Sequence, residues 1–137
     1  MRIEKFEDIQ GWQEARVLAN LVYEATNVGA FAKDFGLRDQ IREAAGSVMH
    51  NIAEGFDAGL DSEFIPFLKY ARRSASEVQS ELYLALDRCY LTHEQFQAMY
   101  EQATKTKKLI NGFVGYLRQS KRPRDHGTTG RHDDATT

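Results

Sequence analysis

The chain has 137 residues and a formal net charge of −2, from 18 lysines and arginines against 20 aspartates and glutamates. This length suits one domain that buries its core without a metal, and a single cysteine excludes an internal disulfide. No uncharged run approaches the roughly 18 residues of a membrane span, no charged-then-apolar leader opens the sequence, and the dispersed charges exclude a general attraction to nucleic acid or lipid. We therefore expect a soluble, cytoplasmic protein without a membrane partner.

The sequence predicts an all-α protein, because prolines occur only at positions 66 and 123 and no segment alternates like a strand. The first helix is predicted from about residue 8 to 27 and the second from about 37 to 56, each with an apolar row at helical spacing. Gly55 is predicted to close the second helix in the left-handed conformation that glycine tolerates.

The third helix is predicted from about residue 62 to 91, with apolar or small residues at heptad spacing from Phe64 to Cys89. This spacing places Cys89 in the core. The fourth helix begins with the capping box Thr92-x-x-Gln95 and ends at Arg118. Residues 119–137 contain no large apolar side chain and are predicted to be a disordered tail. Short connections favour an up-down-up-down antiparallel four-helix bundle over residues 1–118.

Polar residues flank the apolar rows of the second and third helices. If these helices form an antiparallel hairpin, paired positions sum to about 120, which brings Ser47 near Ser74. The same register brings Arg42 near Glu77 and Arg38 near Glu81. We interpret the row as a seam that fixes helix register, with a binding groove as the alternative. Its members are Gln40, Arg42, Ser47, Asn51, Glu54, Gly55, Ser74 and Glu77.

Two further sets of residues are candidates for binding partners. Apolar residues outside the core rows predict self-association; they are Ile65, Tyr83, Leu86, Tyr90, Tyr100, Leu109, Val114 and Tyr116. Basic residues predict a weak, salt-sensitive contact with RNA; they are Lys69, Arg72 and Arg73 on the third helix, and Arg118, Lys121, Arg122 and Arg124 in the C-terminal part. A solvated helix face and a solubilising tail are the alternatives for the basic sets.

The residue patterns of metal, cofactor and enzyme sites are mostly missing. Serine and tyrosine stand three residues before His50 and His93, so the Glu-x-x-His pairs of a di-iron bundle do not occur. We expect no cofactor, no metal and no enzymatic activity. The alternative uses Arg88 and His93, which fit the Arg-x4-His spacing of the nucleotide-binding ribonucleases of higher eukaryotes and prokaryotes. There the histidine would exchange protons and the arginine would stabilise phosphate. A small-molecule-binding bundle could use the same two residues.

The most specific pattern of the chain is Ala44-Ala45-x-Ser47-Val48-x-x-Asn51-Ile52-Ala53-Glu54-Gly55, followed by Ala71-Arg72-x-Ser74-x-x-Glu77. With these motifs, residues 6–118 resemble the four-helix-bundle proteins encoded in intervening sequences of bacterial 23S ribosomal RNA genes. The architecture is also similar to the accessory variability determinant protein of diversity-generating retroelements.

This resemblance implies a homopentamer, with RNA or an RNA-handling protein as a further partner. The expected function is that of a non-enzymatic interaction scaffold or RNA accessory factor. The chain departs from the family at three places: it has Glu43 where an arginine is common, Met49-His50 where Pro-Ala is common, and Arg73 where glycine is common.

Overall fold

A computed structural model describes residues 3–119. They form a short 3-10 helix, Phe6–Asp8, and the α-helices α1 Gln10–Ala25, α2 Gly29–Lys33, α3 Phe35–Asp57, α4 Asp61–Asp87 and α5 His93–Gln119. No strand occurs in this part of the chain, which confirms the predicted all-α class. The four long helices are the predicted ones, whereas α2 was not predicted and α5 includes Gln119, which was assigned to the tail. The disorder predicted for residues 120–137 lies outside the described residues.

The four long helices form an antiparallel bundle. Each packs against two others, in the order α1, α3, α4, α5 and back to α1. Gly11 of α1 lies between Ile52 of α3 and Ile110 of α5, where an added Cβ would stand 3.8 Å and 3.6 Å from their side chains. These are ordinary packing distances, so α1 contacts both neighbours here, and the contacts between helices agree with the predicted up-down-up-down topology.

The core of the bundle has two parts along its axis. One contains the fully buried Leu18, Ile41 and Leu82, and the other contains Ile52 and Phe64. Burial of each such side chain stabilises the fold by about 1.5–3 kcal/mol, and all four long helices contribute to both parts.

The short helix α2 closes one end of the bundle. Its Phe31 is only 1% exposed, and the Phe31 ring stacks on the ring of Tyr90 with 5.1 Å between centroids. The Tyr90 hydroxyl donates a hydrogen bond to Asp34 Oδ2 at 2.9 Å. Tyr90 therefore fastens the segment after α4 to the residue that caps α3.

Gly55 does not end α3, contrary to the sequence prediction. The helix continues to Asp57, and a Cβ on Gly55 would lie 2.6 Å from Phe64 Cδ1 and 2.7 Å from Phe67 Cβ. Glycine is required here because α3 and α4 converge toward their connecting turn and leave no room for a side chain. The left-handed conformation belongs instead to Gly59, with φ +109°.

The end of α4 also differs from the heptad prediction. The helix stops at Asp87, so Cys89 is exposed rather than buried and has a left-handed φ of +64°. Cys89 directly follows the C-cap Arg88, a position where helices commonly turn left-handed. The start of α5 is as predicted. The Thr92 backbone N donates to Gln95 Oε1 at 2.9 Å, and the Gln95 backbone N donates to Thr92 Oγ1 at 3.0 Å.

Candidate nucleic-acid interface

The predicted polar seam contains a hydrogen-bonded group centred on Ser47. Ser74 Oγ donates to Ser47 Oγ at 2.9 Å, which joins α4 to α3 at the predicted level. Asn51 Nδ2 donates to the Ser47 carbonyl and to Ser47 Oγ, both at 2.9 Å. Asn51 thus bonds within its own helix. The group links the two helices at one register, as a structural device would.

The other members of the seam are not part of this group. Arg42 turns toward α1, where its Nε donates to Thr26 Oγ1 at 2.8 Å and its guanidinium lies over the Tyr23 ring at 4.6 Å. The pairing of Arg42 with Glu77 was therefore wrong, and Glu77 is exposed. Arg38 likewise pairs with its neighbour Asp39 at 2.9 Å rather than with Glu81. Gln40 and Glu54 are exposed as well, while Gly55 is the buried contact described above.

One carboxyl group of α4 next to the seam is buried, which the sequence did not indicate. Glu81 is 6% exposed, and its Oε1 accepts no hydrogen bond within the described chain. The pKa of Glu81 is raised from 4.5 to about 7, mainly by burial and in addition by the nearby Glu77 carboxylate, through its charge and by accepting a hydrogen bond from the protonated acid. Glu81 neighbours the core residues Val78, Leu82 and Ala85 on α4, and its burial depends on how closely the neighbouring helices pack, which the sequence does not show.

We call four cations of α4 and α5 the basic face: Lys69 and Arg72 on α4, and Lys107 and Lys108 on α5. Hydrogen bonds place two of them, Arg72 and Lys107, at the seam between these helices. Arg72 Nη1 donates to Asn111 Oδ1 at 3.0 Å, and Lys107 Nζ donates to Gln79 Oε1 at 3.0 Å. Both acceptors are neutral amides, so they position the cations without neutralising them. Sequence reasoning found Lys69 and Arg72 but missed the two lysines of α5, which antiparallel pairing of α5 with α4 would have placed there.

The remaining predicted cations lie apart from this seam or outside the described residues. Arg73 lies on the outer side of α4, with its guanidinium over the Tyr70 ring at 5.0 Å. Arg118 is exposed in the last turn of α5. Lys121, Arg122 and Arg124 lie outside the described residues.

Exposed acidic side chains occur on several helices. The outer surface of α3 presents a row of exposed carboxylates, Asp39, Glu43, Glu54 and Asp57. Exposed carboxylates also lie on α4 and α5, so charges of the two signs are only partly separated in the fold; they are Glu63, Glu77, Asp87, Glu94 and Glu101. A small negative net charge consequently coexists with a locally positive surface.

The residues predicted to mediate self-association have different environments. Val114 is 5% exposed and belongs to the core, because α5 packs more deeply than its apolar pattern suggested. Tyr90 is engaged with Phe31 and Asp34 inside the chain. Ile65, Leu86, Tyr100 and Leu109 are half-buried. Tyr83 and Tyr116 are 50% and 47% exposed.

Tyr83 belongs to what we call the aromatic cluster, with Phe96 and Tyr100 of α5. The Tyr83 ring lies 4.9 Å from the Phe96 ring and 5.8 Å from the Tyr100 ring, centroid to centroid. Tyr100 also lines an open groove of about 550 Å³ along α5, together with Thr104, Lys105, Lys108 and Leu109 among others. The cluster therefore continues into the basic face.

Arg88 and His93 are exposed at the two ends of the turn between α4 and α5. Both stand on the surface, and the ribonuclease alternative stays a prediction. Among residues 3–119, no group of three or more histidine, cysteine, aspartate or glutamate side chains is arranged to hold a metal ion. No helix of this part of the chain has the length and apolarity needed to cross a membrane.

Comparison with known proteins identifies the family. A solved structure of a protein of unknown function from the S23 ribosomal protein family of Bacteroides thetaiotaomicron VPI-5482 superimposes with a TM-score of 0.70. The two are 24% identical, over 77% of this chain and 95% of that chain, so the likeness shows the fold. A search of curated proteins found no match. The family model described as 23S rRNA-intervening sequence protein matches residues 7–112, and the chain therefore belongs to that family.

Proposed function

We propose that this protein is a non-enzymatic, homo-oligomeric accessory factor of the bacterial cytoplasm that binds RNA through its basic face. The observation that carries the proposal is the pairing of Arg72 and Lys107 with neutral amides. This pairing holds two cations between α4 and α5 without neutralising their charge. The family description, which refers to the 23S rRNA intervening sequence, supports RNA as the partner.

The physical driving force for this contact is electrostatic. Cations that neutralise phosphates release condensed counterions, and this release supplies most of the nonspecific affinity of proteins for nucleic acid. Because the carboxylates of α3 lie on another helix, they oppose this binding less than the net charge of −2 suggests. Binding should therefore be weak, local and strongly dependent on salt.

A titration of fluorescently labelled RNA at low and moderate salt tests the proposal. The variant carries alanine at Lys69, Arg72 and Lys108 together. Its affinity should fall, and the slope of log K against log salt should flatten by about 2, at about 0.7 for each lost contact with a single strand. Affinity that ignores salt, or a slope unchanged in the variant, would contradict the proposal.

A matched control removes the same number of charges elsewhere. Lys5, Arg16 and Lys33 are exposed at the α1 and α2 side of the bundle. A variant with alanine at these three positions should keep the slope of the wild type. An equal loss of binding in both variants would indicate a general charge effect and not a specific face.

Self-association is the second part of the proposal. Exposed aromatic residues such as Tyr116 supply apolar surface that one copy leaves in water. The resemblance to accessory variability determinant proteins supports a pentamer. Light scattering should then give a mass of five chains of 15.6 kDa, and a particle with the mass of one chain in dilute buffer would refute self-association.

A further inference from the structure

We infer that the RNA recognised by the basic face is single-stranded, with a base stacked on the aromatic cluster and the adjoining phosphates held along the groove of α5. This inference rests on the proposed function and adds the class of RNA to it. It follows from the position of the cluster and the groove on the same side of the bundle as the basic face.

The aromatic cluster offers an exposed ring on a firm support. Tyr83 is half exposed, while the Phe96 and Tyr100 rings pack against the bundle core and against each other, 5.5 Å apart. A ring held in this way loses little freedom when a second aromatic ring stacks on it. Every nucleobase has a flat face, so such a surface binds bases with little regard to sequence.

The groove joins the cluster to the cations. Tyr100 and Leu109 supply its apolar part, and Lys105 and Lys108 supply positive charge. Lys105 Nζ lies 3.5 Å from Glu14 Oε2, so Lys108 is the stronger phosphate ligand of the two. The groove is open to solvent and all of its lining residues belong to α5, so a strand could lie along this helix without entering an enclosed pocket.

The carboxylate of Glu101 also lines the groove, where it would repel a phosphate. Glu101 Oε2 accepts a hydrogen bond from Gln97 Nε2 at 2.9 Å, which keeps both side chains at the end of the groove near Tyr100. A carboxylate repels phosphate but accepts hydrogen bonds from ribose hydroxyls and base amino groups. The base is therefore expected at the Tyr100 end and the phosphate at the Lys108 end.

Beyond the groove, the line of favourable groups continues along the bundle. Asn111, which holds Arg72, lies eleven residues after Tyr100 on α5, a rise of about 17 Å. Lys107, bound to Gln79, stands between them. This combination of an aromatic surface and a positively charged track is the usual arrangement of proteins that bind single strands without sequence preference.

A duplex would use this surface poorly. The faces of its bases are covered by their neighbours in the stack, so the aromatic cluster would find no base to stack on. Only the cations of the basic face would then contribute to binding. A second copy of the chain is the competing occupant, because Tyr83 and Tyr100 also belong to the residues predicted for self-association. We assign RNA as the occupant because the cluster and groove adjoin cations, and an RNA strand carries a phosphate beside each base.

The test compares one RNA strand of mixed sequence, free and annealed to its complement, at equal salt. The wild type should bind the single strand more tightly. Tyr83→Leu, which keeps an apolar side chain of similar reach, should weaken single-strand binding at least about fivefold, with duplex binding and the salt slope unchanged. Tyr23→Leu is the matched control, because Tyr23 is 49% exposed on α1, and it should bind both RNAs as the wild type does.

The outcomes separate this inference from the proposed function. Equal affinity for both RNAs, or equal effects of Tyr83→Leu and Tyr23→Leu, overturns the inference while leaving RNA binding by the basic face intact. Absence of salt-dependent RNA binding by the wild type overturns both. If Tyr83→Leu lowers the mass measured by light scattering without changing single-strand affinity per chain, the cluster is an interface between copies and the inference is wrong.

Discussion

Replacement of Glu81 by glutamine tests the energetics of the α3–α4 seam. In the folded chain the pKa of Glu81 is raised from 4.5 to about 7 by burial and by the Glu77 carboxylate. Between these values the folded state holds more protons than the unfolded state, so the stability contributed by this group falls as pH rises and is lost above pH 7. At about 1.4 kcal/mol per pH unit, the loss amounts to about 3 kcal/mol.

Glutamine has the shape of the protonated acid, can donate to Glu77 and does not ionise. We therefore expect Glu81→Gln to match the wild type within about 1 kcal/mol at pH 5, where Glu81 is largely protonated, and to exceed it by about 2–3 kcal/mol at pH 8. Urea unfolding at fixed protein concentration measures both values, because self-association would otherwise change the apparent stability.

The difference between the two proteins isolates Glu81, since all other titrating groups are common to both. Glu54→Gln, on an exposed glutamate of α3, is the matched control and should follow the pH dependence of the wild type. A constant difference between Glu81→Gln and the wild type from pH 5 to pH 8 would refute the reasoning. It would mean that Glu81 titrates near its ordinary value and is not desolvated.

Three further predictions concern packing, hydrogen bonding and chemistry. Gly55→Ala places a Cβ against Phe64 and should destabilise the fold by about 3 kcal/mol or more in urea unfolding. Gly112→Ala is the control and should not destabilise the fold, because Gly112 lies in open space. Equal stabilities of the two variants would contradict the close approach at Gly55. Ser47→Ala should lower the free energy of unfolding by about 1–3 kcal/mol, because it removes the hydroxyl that accepts hydrogen bonds from Asn51 and Ser74. An unchanged free energy of unfolding would mean that the seam between α3 and α4 does not stabilise the fold. His93→Ala should leave labelled RNA as intact on a gel as the wild type does; cleavage by the wild type alone would establish the ribonuclease alternative.

The sequence by itself determined the architecture of this protein. The heptad row of α4 from Phe64 to Ala85 is buried as predicted. A helix with one apolar stripe packs with that stripe toward the core, because this orientation removes the stripe from water. The Thr92 capping box and the approach of Ser47 to Ser74 were also predictable. These features depend on residues three, four or seven apart, or on a hairpin whose short turn fixes its register.

The tertiary structure alone decided the features that depend on distances between helices. The closeness of α3 to α4 makes Gly55 a packing contact rather than a helix end, and the packing elsewhere along α4 buries the Glu81 carboxyl group. The pairing of α5 with α4 brings Lys107 to Gln79 of α4 and places Val114 in the core. Spacing within one helix specifies which side of the helix a residue faces. The burial and the partners of that residue depend on how near the next helix lies. That distance is set by the packing of the whole core.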